Sequence, residues 1–350
     1  MQYHLKIREP LPSVIVRGNA VESCVSRVLR ESPALIHAQS PDRILVSPLD
    51  EQGNLMEGGD GWIGPSLEKI PENERPIDLD SLSKWAHSRI DAHVERCTND
   101  ALMEWLLNPH RIGDENDLDR EEIIEMAHRG IDLHLEEVKN CHSNLEKEEL
   151  QKWRKGGQRD TFPAPDGFSN SGVHIPPEIS TESMTWSEAW AIARPWFVDP
   201  DAPSFSMQTI HPEQWFQGEY DLVYRWNGKI RIIDLKASKG NNDRSRLYSE
   251  QLRLYSWLWW ETHDREDIVD GLEIWYLGPG KRKIVDAPDE KELILISKQL
   301  EEIYQILGNV KSEEDAPLNP TPVYYFEEGG VQIGTAEDPI ERCKTCPYVA

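Results

Sequence analysis

The stretch YDLVYRWNGKIRIIDLK, Tyr220 to Lys236, constrains the fold more than any other part of this chain. Asn227-Gly228 between two strand-like runs is a strong signal for a two-residue type I′ turn, and such a turn fixes register. Trp226 then faces Lys229, Arg225 faces Ile230, Tyr224 faces Arg231 and Val223 faces Ile232. Extending the pairing outward sets Asp221 opposite Asp234 and Glu219 opposite Lys236. Cross-strand neighbours have Cβ atoms roughly 4.5–5.5 Å apart, so like charges there are destabilising. Two facing carboxylates on a mostly apolar hairpin call for a bridging cation or proton. Hard oxygen ligands favour Mg²⁺ or Mn²⁺. The alternatives are solvated strand ends, or an Asp234 that pairs with Lys236 alone.

The rest of the composition frames this reading. The chain has 350 residues, enough for a large core and for two domains or one decorated one. Lys and Arg total 38 against 63 Asp and Glu, a formal charge of −25. Such acidity opposes phosphate binding in general but does not forbid a local cationic groove. No run reaches the roughly 18 apolar residues of a membrane span, and the N-terminus lacks a signal-peptide core. Both predict a cytoplasmic protein with no membrane partner. The five cysteines are Cys24, Cys97, Cys141, Cys343 and Cys346. In a reducing compartment, Cys-Lys-Thr-Cys at 343–346 reads as a metal or cluster site before it reads as a disulfide.

Along the chain, residues 1–80 are rich in Pro, Gly and Asp, with short strands expected at Val14–Val16 and Arg43–Val46. Residues 81–108 and Arg120–Asn140 carry helical periodicity. In the second of these, Ile123, Ala127, Ile131, His134 and Val138 fall on one stripe. Residues 155–183 form a polar loop insertion. Further helices are expected near Trp186–Arg194, Leu247–Glu261 and Glu290–Leu307, with strands at Leu272–Leu277 and Val323–Phe326. This alternation predicts an α/β fold. The tryptophans Trp257, Trp259 and Trp260 are expected in the core.

Asp-Leu-Lys at 234–236, with its preceding strand and Gly-Glu-Tyr-Asp at 218–221, resembles the catalytic core of the PD-(D/E)xK nucleases. The Gln251-x-x-x-Tyr255 of QLRLY and the Gly-x-x-x-His of RGIDLHLEE, ending in His134, resemble the RecB-like exonuclease branch. That branch is related to iron–sulfur CRISPR-associated and AddB-type nucleases. The resemblance covers about residues 120–350. It implies a restriction-endonuclease-like core, a central mixed sheet flanked by helices, at 116–350. Residues 1–115 are left as a mainly helical or irregular accessory region.

The resemblance implies a metal-dependent DNA nuclease, an exonuclease on single-stranded DNA or DNA ends. Its settings are repair, recombination or CRISPR-type defence beside helicase or other partner proteins. Asp221, Asp234, the Leu235 carbonyl and His134 would hold Mg²⁺ or Mn²⁺. Lys236 would orient water or stabilise developing charge, and Gln251 and Tyr255 would border the site and touch substrate phosphate. Cys24, Cys343 and Cys346 would ligate a [4Fe-4S] cluster. The last family cysteine would fall just past Ala350, so the chain is truncated, or Cys97 or Cys141 substitutes, or no cluster forms. Basic residues, Arg225, Lys229, Arg231, Lys239, Arg244, Arg246 and Arg253, are expected to meet phosphates. A DNA-binding scaffold without activity and a zinc-binding interaction module are the competing readings.

Overall fold

A computed structural model describes residues 11–31, 33, 35–37, 67–115, 118–154, 183–195, 208–238, 245–308, 323–327 and 330–334. The expectations for Arg43–Val46, for most of the 155–183 insertion, for Lys239 and Arg244, and for Cys343 and Cys346 lie outside these residues.

The helices are α1 (Ser13–Arg30), α2 (Leu79–Leu107), α3 (Arg120–Asn144), α4 (Lys147–Arg154), α5 (Trp186–Ala193), α6 (Ser245–Thr262) and α7 (Glu290–Gly308). The strands that matter for the site are β1 (Gln208–Ile210), β2 (Gln217–Glu219), β3 (Leu222–Trp226), β4 (Lys229–Lys236), β5 (Gly271–Tyr276) and β6 (Lys281–Val285). Short pairs also join 11–12 to 111–112, 35–37 to 67–69, and 323–327 to 330–334.

Four strands form a mixed sheet in the order β6-β5-β4-β3. The β3–β4 hairpin has the register set by its turn: Trp226 faces Lys229 and Leu222 faces Ile233. Asn227 and Gly228 both adopt positive φ, 59° and 66°, as a type I′ turn requires. Helix α6 crosses over to bring β5 parallel to β4 and packs on both strands. Strand β6, KRKIV, completes the edge; its charges hid it from a periodicity search.

The register stops at Leu222. Asp221 sits in a bend, and Glu219 belongs to β2, paired with Gln208 of β1. The ladder pairings of Asp221 with Asp234 and of Glu219 with Lys236 therefore do not form, because the chain leaves the ladder at Asp221.

Val14–Val16 is not a strand but the first turn of α1. The β-branched run favours a strand locally, yet Val16, Ala20, Val21, Cys24, Val25, Val28 and Leu29 are all buried at helical spacing. Helix α1 packs on α2 and α3 within the same core as the sheet. Gly130 on α3 permits this approach: a Cβ there would lie 2.8 Å from Val25 Cγ2. Glu31, just after α1, pairs with Arg89 and His93 of α2, and its carbonyl accepts from Trp190 Nε1 at 2.9 Å. Side-chain caps start the other long helices: Asp78 accepts from Ser81 N at 2.8 Å, and Asp119 from Glu121 N at 3.0 Å.

Among the described residues, no helix is long and apolar enough to cross a membrane.

Candidate active site

A cleft of about 520 Å³ opens at the C-terminal end of β4. Asp221, Asp234, Leu235 and Lys236 line it from the sheet, Glu219 from β2, and Gln251 and Tyr255 from α6. Helix α1 supplies Asn19, Glu22, Ser23, Ser26 and Arg27.

Asp234 is 2 % exposed. Lys236 Nζ donates to its Oδ1 at 2.7 Å and forms an ion pair with Oδ2 at 2.6 Å. Oδ2 itself is buried without a hydrogen bond among the described residues. The Asp221 carboxylate accepts from the backbone N–H of Leu235 at 2.6 Å. Lys236 also lies over the Tyr248 ring, 4.8 Å from its centroid. Gln251 Nε2 donates to Tyr255 OH at 2.8 Å, so the i, i+4 pair presents one polar unit to the cleft.

The electrostatics are lopsided, with five carboxylates lining the cleft against two cations, Lys236 and Arg27. Burial pushes the Asp221 carboxyl well above its ordinary range, and the charges of Glu22 and Asp234 push it further. Burial likewise raises Asp234, against the pull of Lys236. Glu22 is raised to about 7, first by burial and then by Glu219. Burial works against the Lys236 ammonium, but Asp234 and Asp221 outweigh it and hold its pKa above the ordinary lysine value. Excess negative charge in a confined site is the condition that a divalent cation relieves.

The donor set fits a hard cation. It is all oxygen and charged, and Asp234 Oδ2, though ion-paired with Lys236, accepts no hydrogen bond among the described residues. Among the described residues, no group of three or more His, Cys, Asp or Glu side chains is placed to hold a metal ion. The candidate donors are the Asp221 and Asp234 carboxylates beside the Leu235 backbone, with Glu22 lining the same cleft.

His134 stands elsewhere. It is 0 % exposed, its Nδ1 lies 2.8 Å from Tyr224 OH, and Trp190 packs edge-on against its ring. Alternation along β3 explains the displacement. Tyr224 pairs with Arg231, an odd number of residues from Asp234 on the same strand, so Tyr224 and Asp234 point to opposite faces of the sheet. His134 follows Tyr224 to the face covered by α3, away from the acids. Burial lowers its pKa to about 3, so it is a neutral core histidine.

Cys24 is buried between α1 and α2, its thiol directed at Ile90 O at 3.8 Å and next to Cys97. The described basic residues are largely spent on acids. Arg225 pairs with Asp267, Arg231 with Glu137 and Glu273, Arg246 with Glu250 and Arg253 with Glu292. The three tryptophans of α6 are buried as expected.

Sequence reasoning missed Glu22. It lies almost two hundred residues from Asp221, and no local motif marks it. The signal available was the polar face Asn19, Glu22, Ser23, Ser26, Arg27, spaced i, i+3, i+4, i+7 and i+8.

Residues 86–350 match the family model of the PD-(D/E)XK nuclease superfamily. No curated protein and no solved structure matches the chain.

Proposed function

Because the chain belongs to the PD-(D/E)XK nuclease superfamily, whose members are generally metal-dependent nucleases acting on DNA, we propose that this cleft hydrolyses DNA phosphodiesters at strand ends, as an exonuclease of the RecB-like type. The observation that carries the reading is the Asp221–Asp234–Lys236 cluster, with its unbalanced negative charge, at the open end of β4. Support for the RecB-like assignment comes from Gln251 and Tyr255, whose side chains join within the same cleft. A [4Fe-4S] cluster involving Cys343 and Cys346 remains part of this reading, and Cys24 enters it from a buried helix interface.

Mg²⁺ or Mn²⁺, held by Asp221, Asp234 and the Leu235 carbonyl, would supply charge for the phosphate and lower the pKa of a bound water. The chain's own groups do the rest. Asp221, anchored by the Leu235 N–H, has its carboxylate fixed relative to the strand. Lys236 keeps its positive charge and stands where negative charge builds on the phosphate oxygens. The Gln251–Tyr255 pair offers donors to a neighbouring phosphate oxygen. Burial raises the Tyr255 phenol, which keeps it protonated as a donor.

The test is cleavage of end-labelled single-stranded and duplex DNA with Mg²⁺ or Mn²⁺, comparing wild type with Lys236→Ala. Progressive shortening from the ends by wild type alone is expected. Equal cleavage by both proteins would remove the enzyme reading; internal cuts in circular DNA would remove the exonuclease assignment.

A further inference from the structure

Helix α1 lies wholly before residues 86–350, the segment matched by the family. Its cleft-facing stripe carries a residue that the catalytic cluster does not use. Arg27 lines the cleft, yet its Nε and Nη1 are buried with no hydrogen bond. Ser26, 7 % exposed and on the same wall, also has a buried hydroxyl without a partner. Among the described residues no carboxylate pairs with Arg27, although the acids Glu22 and Glu104 line the same cleft. Other part-buried arginines behave differently: Arg17 pairs with Glu122, Arg154 with Glu188, Arg231 and Arg282 with Glu137.

A guanidinium cannot relieve desolvation by losing its proton. Buried donors facing a cleft are therefore destabilising until an anion meets them. The fork of Arg matches the geometry of phosphate oxygens, and a neighbouring hydroxyl adds a donor. Five residues separate Glu22 from Arg27, about 7.5 Å along the helix axis. The anion site is thus offset along the helix from Glu22.

We propose that Arg27 and Ser26 form a phosphate subsite that grips a backbone phosphate adjacent to the scissile one. This rests on the nuclease reading and adds to it a residue from outside the family-matched segment. One competing partner for Arg27 is the Cys97 sulfur, whose pKa the Arg27 charge helps to lower. The Cys97 thiol accepts from Ser23 Oγ at 3.7 Å, and its pKa is lowered to about 6, chiefly by a hydrogen bond from Cys24.

Fluorescence anisotropy on a labelled single-stranded oligonucleotide, with Ca²⁺ replacing Mg²⁺, tests this across a series of KCl concentrations. Arg27→Gln should weaken binding roughly 10- to 100-fold. It should also reduce the slope of log K against log [salt] by about 0.7, the loss of one phosphate contact. Arg27→Lys should keep the slope while weakening affinity, because charge is retained and the fork is lost. Cys97→Ser should leave both unchanged. A wild-type slope in Arg27→Gln, or the same loss in Cys97→Ser, overturns the subsite alone. Should Arg27→Gln fail to fold, Arg27→Lys decides: wild-type affinity overturns the proposal. Wild type that neither binds nor cuts DNA overturns the nuclease reading and this inference with it.

Discussion

The sheet carries two clusters of charge, one on each face, and they are built in opposite ways. On the face under α3, Glu137 is held by Arg231 and Arg282, the latter at 2.5 Å, and Arg231 also meets Glu273 at 3.1 Å. Two buried acids, Glu137 and Glu273, meet two guanidiniums there, and the exposed Glu136 reaches Arg282 from the rim at 3.0 Å. Burial opposes the Glu137 charge, but Arg231 and Arg282 win and lower its pKa. On the other face, at the end of β4, Lys236 is the ammonium among Glu22, Glu219, Asp221 and Asp234, with Arg27 and Glu104 elsewhere on the cleft wall, and the carboxyl pKa values of Glu22, Asp221 and Asp234 rise. Burial alone distinguishes nothing, since Glu137 and Asp234 are equally hidden at 2 % exposure. What differs is charge balance. A neutralised cluster joins elements together; a deficit of positive charge marks a place left for a ligand.

The comparison breaks most visibly at Asp234. Asp234→Asn should lower kcat/KM by on the order of 10³-fold while leaving thermal stability near wild type; single-turnover cleavage and a melting curve read the two effects separately. Glu137→Ala should do the reverse. Arg231 and Arg282 lose the buried carboxylate they share and keep only Glu273 and the exposed Glu136, so stability should fall by about 3 kcal/mol in urea titration, and the folded fraction should keep its specific activity. Gly130→Ala sharpens the contrast from a third position. The added methyl meets Val25, so a loss of about 1–3 kcal/mol is expected, with weakened DNA affinity as α1 shifts.

The smallest effect should be a gain. The Glu22 pKa is raised from 4.5 to about 7 by folding. Its favourable contribution is therefore complete below about pH 4.5 and lost as pH rises through 7. Glu22→Gln should stabilise the metal-free protein by about 1–3 kcal/mol at pH 8 and by almost nothing at pH 4. Denaturation curves at the two pH values check it, and an equal gain at both would show that charge is not the cause.

The hairpin was legible because its determinants are local: Asn-Gly, and alternation on either side. Asp221, Asp234, Lys236, Gln251 and Tyr255 do meet in one cleft, since each lies within a few residues of a readable element. Two expectations failed for different reasons. Glu219 left the ladder because Asp221 bends, and His134 went to the far side because a helical stripe does not say which face of a sheet it covers. Glu22 was hidden for another reason. Its partners are remote in sequence, and the helix that carries it opens with valines and isoleucine that imitate a strand.

One contact made by α1 reaches further than its size suggests. Val25 rests where Gly130 lacks a methyl group. The nearness of the whole helix to its neighbours is thus decided by a missing carbon on another element, and Glu22 and Arg27 ride on that helix. A mutation on α3, remote from any reacting atom, would widen or narrow the channel for substrate as a hinge pin sets the gap of a door.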